Sequence, residues 1–241
     1  MSLNQPDWLE APIQAVLFDM DGVLVDSEPI YFKIERSSFA HFGAAVSEKE
    51  HHTYVGVTLE SMWEQVLVKH GIHFTLEQVV SYHKENVFKT LSAYKYLHAM
   101  PYADNWLSWL KERQVPVAVA SSSPRALIEL IMDKTGLGRY FNVRVSGEEV
   151  MHGKPAPDIF LHAAELLGVE PSSCLVIEDS RNGVQAAKSA GMRCIGFQNP
   201  GSGSQDLSLA DHRITSYEQL WAIRNSLPLG EYSQLALDKQ L

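Results

Sequence analysis

Five short apolar runs constrain this chain more than any other feature: "AVLFD" (15–19), "VAVAS" (117–121), "VRVS" (143–146), "LVIED" (175–179) and "CIGF" (194–197). A strand with one wet face alternates apolar with polar residues, whereas a run that stays apolar belongs to a strand covered on both faces. The segments between these runs carry helix signals. Ser123 reads as an N-cap with Pro124 at the first helical position, Pro157 opens "PDIFLHAAELLG" with Gly168 as its stop, and "NGVQAAKSAG" closes at Gly191. Strands that alternate with helices predict an α/β fold with a doubly wound, mainly parallel sheet.

Residues 20–116 separate the first two runs, far more than the dozen or so residues a crossover needs. The excess reads as helical: "PIYFKIERSSFAHFG", "TLESMWEQVLVKHG" and "TLEQVVSYHKENVFKTLSAYKYL", the last with Thr75 and Gln78 at capping-box spacing. The expected organisation is an α/β core from 12–28 and 97–225, an inserted helical cap domain at 29–96, and a tail at 226–241. "GSGSQD" (201–206) reads as a flexible loop. Trp106, Trp109 and Leu110 recur at helical spacing and are expected to pack a helix on the sheet.

The 241 residues can bury a sizeable core, and the chain is expected to act as a monomer. A formal net charge of −9 without a Lys/Arg run argues against nucleic acid and anionic membranes, though a small anionic ligand stays compatible with it. The two cysteines, Cys174 and Cys194, sit in apolar runs and read as free thiols of a reducing compartment. No signal-peptide pattern opens the chain, and no apolar segment approaches the ~18 residues of a membrane span, so a cytoplasmic protein is expected.

Ligands of open parallel sheets bind beyond the carboxyl ends of the strands, and this chain collects its polar residues there. The first run ends in Asp19 with Asp21 two residues on, the second in Ser121, Ser122 and Ser123, and the fourth in Glu178, Asp179 and Ser180. Asp19 and Asp21 project to one side in extended geometry, which is costly for two carboxylates unless a cation lies between them or one is protonated. Glu178 and Asp179 raise that cost, and a hard divalent ion such as Mg²⁺ relieves it. Pro124 opens a helix whose N-terminus can take an anion, and Lys154 in "HGKPAPDIF" precedes another helix on the same edge. Two carboxylates two residues apart, an acidic pair, a hydroxyl and a lysine form an inventory suited to phosphoryl transfer.

These stretches resemble the haloacid dehalogenase superfamily over nearly the whole chain. "DMDGVLVDSE" is similar to its first motif, "VAVASSS" to the second, "GKPAPDIF" to the third and "VIEDSRNGVQAAKSAGM" to the fourth, in the right order. The helical insertion resembles the cap of the β-phosphoglucomutase-like branch, which includes sugar-phosphate phosphatases. The resemblance implies a Rossmann-like core and a hydrolase with Mg²⁺ as cofactor and a small phosphorylated metabolite as partner. It implies that Asp19 attacks phosphorus to give an aspartyl-phosphate, and that Asp21 protonates the leaving oxygen and later deprotonates water. Asp19, Asp179 and the Asp21 carbonyl would hold the metal, with Glu178 as a further ligand or a partner of the ligands. Ser121, Ser122 and Lys154 would bind the phosphoryl group. Gly22 turns the chain after Asp21, and Asp26 is expected to hydrogen-bond within that turn.

Departures from the mutase pattern favour hydrolysis. In "YVGVTLES" the positions where the mutase carries phosphate-holding basic residues hold Val55 and Leu59, and Tyr31 stands where the mutase has a histidine. Lys33, Arg36, His51 or His52 could supply charge instead. A sugar or polyol monophosphate phosphatase is therefore expected, with a phosphosugar mutase as runner-up. A dehalogenase needs neither Asp21 nor a metal pair, and a non-catalytic sugar-phosphate sensor would be free to lose Asp19 or Asp21, both of which are present. His70 and His73 read as surface or capping residues, and the linkers near 26–30 and 95–101 as hinges.

Overall fold

The computed structural model describes residues 12–54 and 58–230. Its sheet contains β1 (Ala15–Phe18), β2 (Val117–Ser121), β3 (Val143–Ser146), β4 (Cys174–Glu178), β5 (Arg193–Phe197) and β6 (His212–Ile214), in the order β3-β2-β1-β4-β5-β6. Every pairing is parallel. The first five strands are the five apolar runs. β6 goes beyond them, because "HRI" is three residues long with no apolar run, and it forms only where β5 offers an edge to pair with.

The helices among the described residues are α1 (Glu28–His41), α2 (Glu48–His51), α3 (Leu59–His70), α4 (Leu76–Ala93), α5 (Ala103–Glu112), α6 (Arg125–Thr135), α7 (Asp158–Leu167), α8 (Arg181–Ser189) and α9 (Tyr217–Ile223). Alternate residues of each strand face opposite helical layers. Val16, Phe18, Val119, Leu175 and Ile177 pack with Trp106, Leu110, Ile128 and Leu220 from α5, α6 and α9. On the other face, Ala15, Ala118, Ala120 and Cys194 meet Ala163, Ala164, Ala186 and Ala187 of α7 and α8. Small residues on both sides of that second layer let its helices sit close to the sheet. The two cysteines are buried and free, and no described helix is long and apolar enough to cross a membrane.

Between β1 and α5 the chain builds helices α1 to α4 around Phe39, Met62, Trp63, Val66 and Val79. The capping box at the start of α4 is complete: Gln78 N–H donates to Thr75 Oγ1 at 3.2 Å and Thr75 N–H to Gln78 Oε1 at 2.9 Å. This segment is not insulated from the rest, since Ile34, Val87 and Leu91 join the larger cluster. Its two crossings lie side by side as a short antiparallel pair, with Asp26 N–H bonded to His98 O at 3.1 Å and Met100 N–H to Leu24 O at 2.8 Å.

Residues 226–230, expected to begin an unplaced tail, pack on the core instead. Leu227 is buried, Ile13 N–H donates to Pro228 O at 2.7 Å, and Gly230 N–H donates to Ile13 O at 2.9 Å. Residues 231–241 lie outside the described residues, as does Val55.

The strand order reverses at β1. From there β2 and β3 extend to one side and β4, β5 and β6 to the other, so the carboxyl ends of β1 and β4 flank the switch-point crevice where such sheets bind ligands.

Candidate active site

Asp19 leaves β1 at this crevice, with its N–H bonded to Ile177 O of β4 at 3.0 Å. The turn that follows is anchored by its apolar members. Met20, Val23, Leu24 and Val25 are fully buried, and the N–H groups of Leu24 and Val25 both bond to Met20 O. With Met20 turned inward, the flanking Asp19 and Asp21 are delivered to the polar edge.

The two aspartates meet different surroundings. Asp19 Oδ1 accepts from Lys154 Nζ at 2.5 Å. Burial pushes its carboxyl up to about 7, with Lys154 pulling the other way and Glu178 and Asp21 adding to the rise. Asp21 faces hydroxyls: Ser27 Oγ donates to Oδ1 at 2.7 Å and Ser123 Oγ to Oδ2 at 3.1 Å. Burial also raises Asp21, and the bonds from Ser27, Ser123 and Tyr31 oppose it. Burial and then the charge of Asp21 push the Tyr31 phenol well above its usual range. A carboxyl fixed at both oxygens, with burial raising its affinity for a proton, is suited to giving and taking one.

Lys154 reaches the crevice from the loop before α7. Its ammonium also donates to Glu178 Oε1 at 2.7 Å and to Ala120 O at 3.2 Å, so its three N–H donors have protein acceptors. Burial alone would lower its pKa, but Asp19 and Glu178 outweigh burial and raise it. The other oxygen of Glu178, Oε2, accepts from Ser180 N–H at 2.7 Å and Ser180 Oγ at 2.9 Å. A Cβ on Gly183 would overlap this carboxylate, which makes a glycine in the first turn of α8 a requirement for seating Glu178. Both Glu178 oxygens are thus engaged by the chain's own donors, and Glu178 sits as the partner of Lys154.

Asp179 has a single hydroxyl partner, Ser202, whose Oγ donates to Oδ2. Burial, Glu178 and Asp19 all push its carboxyl well above the usual range. Glu28, which opens α1, is likewise pushed up to about 7 by burial, Asp21, Glu35 and Asp26. Five carboxyl groups of the described residues therefore share the crevice with Lys154, and this excess of negative charge fits a cation. Among the described residues no three His, Cys, Asp or Glu side chains form a ready-made metal cage. A cation here would be held by Asp19, Asp179 and the Asp21 backbone carbonyl, completed by water and a phosphate oxygen, which suits Mg²⁺ and its habit of keeping waters.

The second motif is brought to the same edge, with one change of role. Ser121 is buried at the end of β2 and its Oγ accepts from Ser123 N–H at 3.1 Å, leaving the hydroxyl hydrogen for a ligand. Ser122 is exposed and stands outside this network. Ser123, expected to cap α6, instead gives its hydroxyl to Asp21, and Pro124 occupies the N-cap position. Glu148 takes over the helix end, its Oε2 accepting from Arg125 N–H at 3.0 Å, so the first N–H of α6 is already bonded. Asp26, expected to bond within the turn, is exposed; its backbone N–H bonds to His98 O, and Ser27 makes the side-chain bond to Asp21.

Ser27, Glu28, Asn199 and Ser202 escaped the sequence reading. Ser27 and Glu28 stood unremarked at the end of the first motif stretch, and Asn199 lay in no motif. Ser202 lay in "GSGSQD", read as flexible, yet Pro200–Ser202 is a 3-10 turn with Ser202 buried. Two serines and an asparagine in turn-rich sequence look like solvated loop residues until the fold brings them under the sheet edge. The possible charge donors also resolve: Lys33 and Arg36 are exposed, and buried His51 pairs with Glu35. His70 bonds to Glu50 at 2.8 Å.

Residues 16–197 match the family model described as haloacid dehalogenase-like hydrolase. A phosphorylated carbohydrates phosphatase of Thermotoga maritima is 35% identical over 187 residues, covering 76% of this chain and 84% of the relative. A fructose-1-phosphate phosphatase of Escherichia coli is 30% identical over 182 residues, covering 75% and 94%. A solved Thermotoga maritima structure, described as a candidate β-phosphoglucomutase, superposes with a TM-score of 0.74 at 31% identity over 89% of this chain and all of that one.

Proposed function

This chain belongs to the haloacid dehalogenase-like hydrolases and is a phosphoric monoester hydrolase, and from that premise we propose a Mg²⁺-dependent phosphatase of small sugar or polyol monophosphates working through an aspartyl-phosphate on Asp19. The observation that carries this reading is the pairing of Asp19 with Lys154 at 2.5 Å beside an Asp21 fixed by two serine hydroxyls.

In this reading the Asp19 carboxylate attacks phosphorus while the bond from phosphorus to the leaving oxygen breaks, and Asp21 passes its proton to that oxygen. Water then attacks the aspartyl-phosphate, Asp21 takes the water's proton, and Asp19 and inorganic phosphate are released. The metal, when bound, supplies positive charge against the phosphoryl oxygens. Lys154 offsets part of the cost of ionising buried Asp19 and holds it in place, and Glu178 holds Lys154. Ser121 offers its hydroxyl hydrogen to a phosphoryl oxygen, and the exposed Ser122 has backbone groups for the same task. Residues 29–96 act as the cap, moving about the linkers near 26–30 and 95–101 to admit substrate and exclude bulk water.

Hydrolysis is favoured over isomerisation because the groups flanking the crevice from α1 are acidic or phenolic: Glu28, Tyr31 and Glu35. Among the described residues of this wall the cationic candidate, His51, is buried against Glu35, so none is offered to a second phosphate, and Leu59 lies half-buried against the helical cluster. A neutral leaving group such as a sugar or polyol suits this wall better than an anionic one, in keeping with the relatives named for phosphorylated carbohydrates and fructose 1-phosphate.

The test is phosphate release across a panel of sugar, polyol and nucleoside monophosphates, with isomerised hexose phosphate measured in parallel. Release from sugar or polyol phosphates, abolished in Asp19→Asn and by EDTA, is expected. Isomerisation without net phosphate would refute the hydrolase reading, and full activity in Asp19→Asn would refute the aspartyl-phosphate.

A further inference from the structure

The loop after β5 reaches under the sheet edge and ends on Asp179. Asn199 and Ser202 are both buried, which is unusual for polar residues in a turn-rich segment, and each sends a hydrogen bond to the catalytic edge. Asn199 Nδ2 donates to Gly22 O at 3.1 Å, while its Oδ1 accepts from Gly201 N–H at 2.9 Å. Ser202 closes the 3-10 turn with its backbone, N–H to Asn199 O at 3.2 Å, so its hydroxyl is not needed to shape the loop. Gln205 braces the turn, donating to Ser202 O at 3.1 Å and accepting from Arg181 N–H at 3.2 Å. The Ser202 hydroxyl donates to Asp179 Oδ2.

Gly22 completes the arrangement from the other side. It sits at φ +76, and a Cβ there would overlap Asp179 Oδ2 and come within 2.9 Å of Ser202 Oγ. The glycine thus serves two needs: it turns the chain after Asp21, and it leaves open the space through which the Ser202–Asp179 bond runs.

We infer that Ser202 is a positioning residue for the cation: by holding Asp179 through Oδ2 it presents Oδ1 as the ligand oxygen, and Asn199 sets the height of the loop against Gly22. This rests on the reading of Asp179 as a metal ligand. A carboxylate with one oxygen tethered has already lost the rotation that ligation would otherwise have to stop, and partners that orient a ligand in this way commonly govern metal affinity by 10–100-fold.

The full-length chain without substrate is titrated with Mn²⁺, an oxygen-seeking ion of the same class, and free ion is followed by electron paramagnetic resonance. The wild type is expected to bind one Mn²⁺. Ser202→Ala is expected to weaken that binding by about 10-fold or more, and Ser202→Thr, which restores the hydroxyl, to stay near the wild-type value. Wild-type affinity in Ser202→Ala would overturn the inference while leaving Asp179 a ligand. If Asp179→Asn binds as tightly as the wild type, or the wild type binds no ion, the underlying reading falls and the inference with it. Should the alanine variant not fold, Ser202→Cys replaces the donor by a weak one at similar size and is judged by the same threshold.

Discussion

Removing the ammonium of Lys154 while keeping its length, as in Lys154→Met, leaves two buried carboxylates facing each other. Nζ lies 2.5 Å from Asp19 and 2.7 Å from Glu178, and the side chains are 6%, 11% and 1% exposed. Taking one partner from a buried charge cluster costs about 3–5 kcal/mol, because the charges left behind are neither solvated nor matched. Glu178 keeps its two bonds from Ser180, so the strain falls on Asp19, which can escape it by binding a proton. The folded Asp19 already holds a proton up to about pH 7, whereas in the unfolded chain it ionises near 3.8. Its contribution to stability is therefore present at low pH and lost as pH rises through 7, about 1 kcal/mol of that loss falling between pH 6 and 8. Without the lysine the folded pKa moves further up, and each added unit steepens the loss by about 1 kcal/mol. Lys154→Met should thus cost about 3–5 kcal/mol at pH 8 and about 1 kcal/mol less at pH 6. Guanidinium unfolding in EDTA at both pH values, followed by tryptophan fluorescence, measures the difference. A loss under about 1 kcal/mol at pH 8, or equal losses at the two pH values, would refute the charge pairing as the source of the effect.

Asp21→Asn keeps an oxygen acceptor for one of Ser27 and Ser123 and turns an amide N–H toward the hydroxyl oxygen of the other, but it cannot act as the acid, and phosphate release should drop by about 10²–10⁴-fold with little change in melting temperature; turnover within 10-fold of wild type would exclude Asp21 as the acid. Gly183→Ala places a methyl on the Glu178 carboxylate and should lower stability by about 1–3 kcal/mol. In a chain of this length that is a fall of roughly 2–4 °C in Tm per kcal/mol by calorimetry, and an unchanged Tm would show the carboxylate to be free to move. Thr75→Ala removes half of the capping box at α4 and should cost about 1 kcal/mol in the same measurement with phosphate release unaffected, since the box lies in the helical segment away from the crevice.

The α/β class, the parallel sheet and the edge on which chemistry collects were legible because each rests on local rules. A strand buried on both faces must be apolar throughout, a crossover helix needs a start and a stop, and ligands gather where the strands end. β6 obeyed none of these rules, because three residues with two polar side chains have no strand preference until β5 supplies donors and acceptors along its edge. Ser123 shows a local rule losing to a distant one. Its place before Pro124 favours a cap, but the carboxylate of Asp21, 102 residues away in sequence, offers its hydroxyl a charged acceptor, and Glu148 meets the helix end in its place.

Asp19, Asp21, Lys154, Glu178 and Asp179 were nameable from the sequence alone, since four carboxylates at strand ends and a lysine before a helix make a pattern that few structural needs produce. Their division of labour was decided only in three dimensions. Whether a carboxylate meets an ammonium, as Asp19 does, or hydroxyls, as Asp21 and Asp179 do, depends on which loops arrive at the crevice. Those loops come from residues 27, 123, 154 and 202, far apart along the chain and joined only by the order of the strands. Residue type sets what a group can do, and its neighbours, through burial and hydrogen bonding, set which of those things it does.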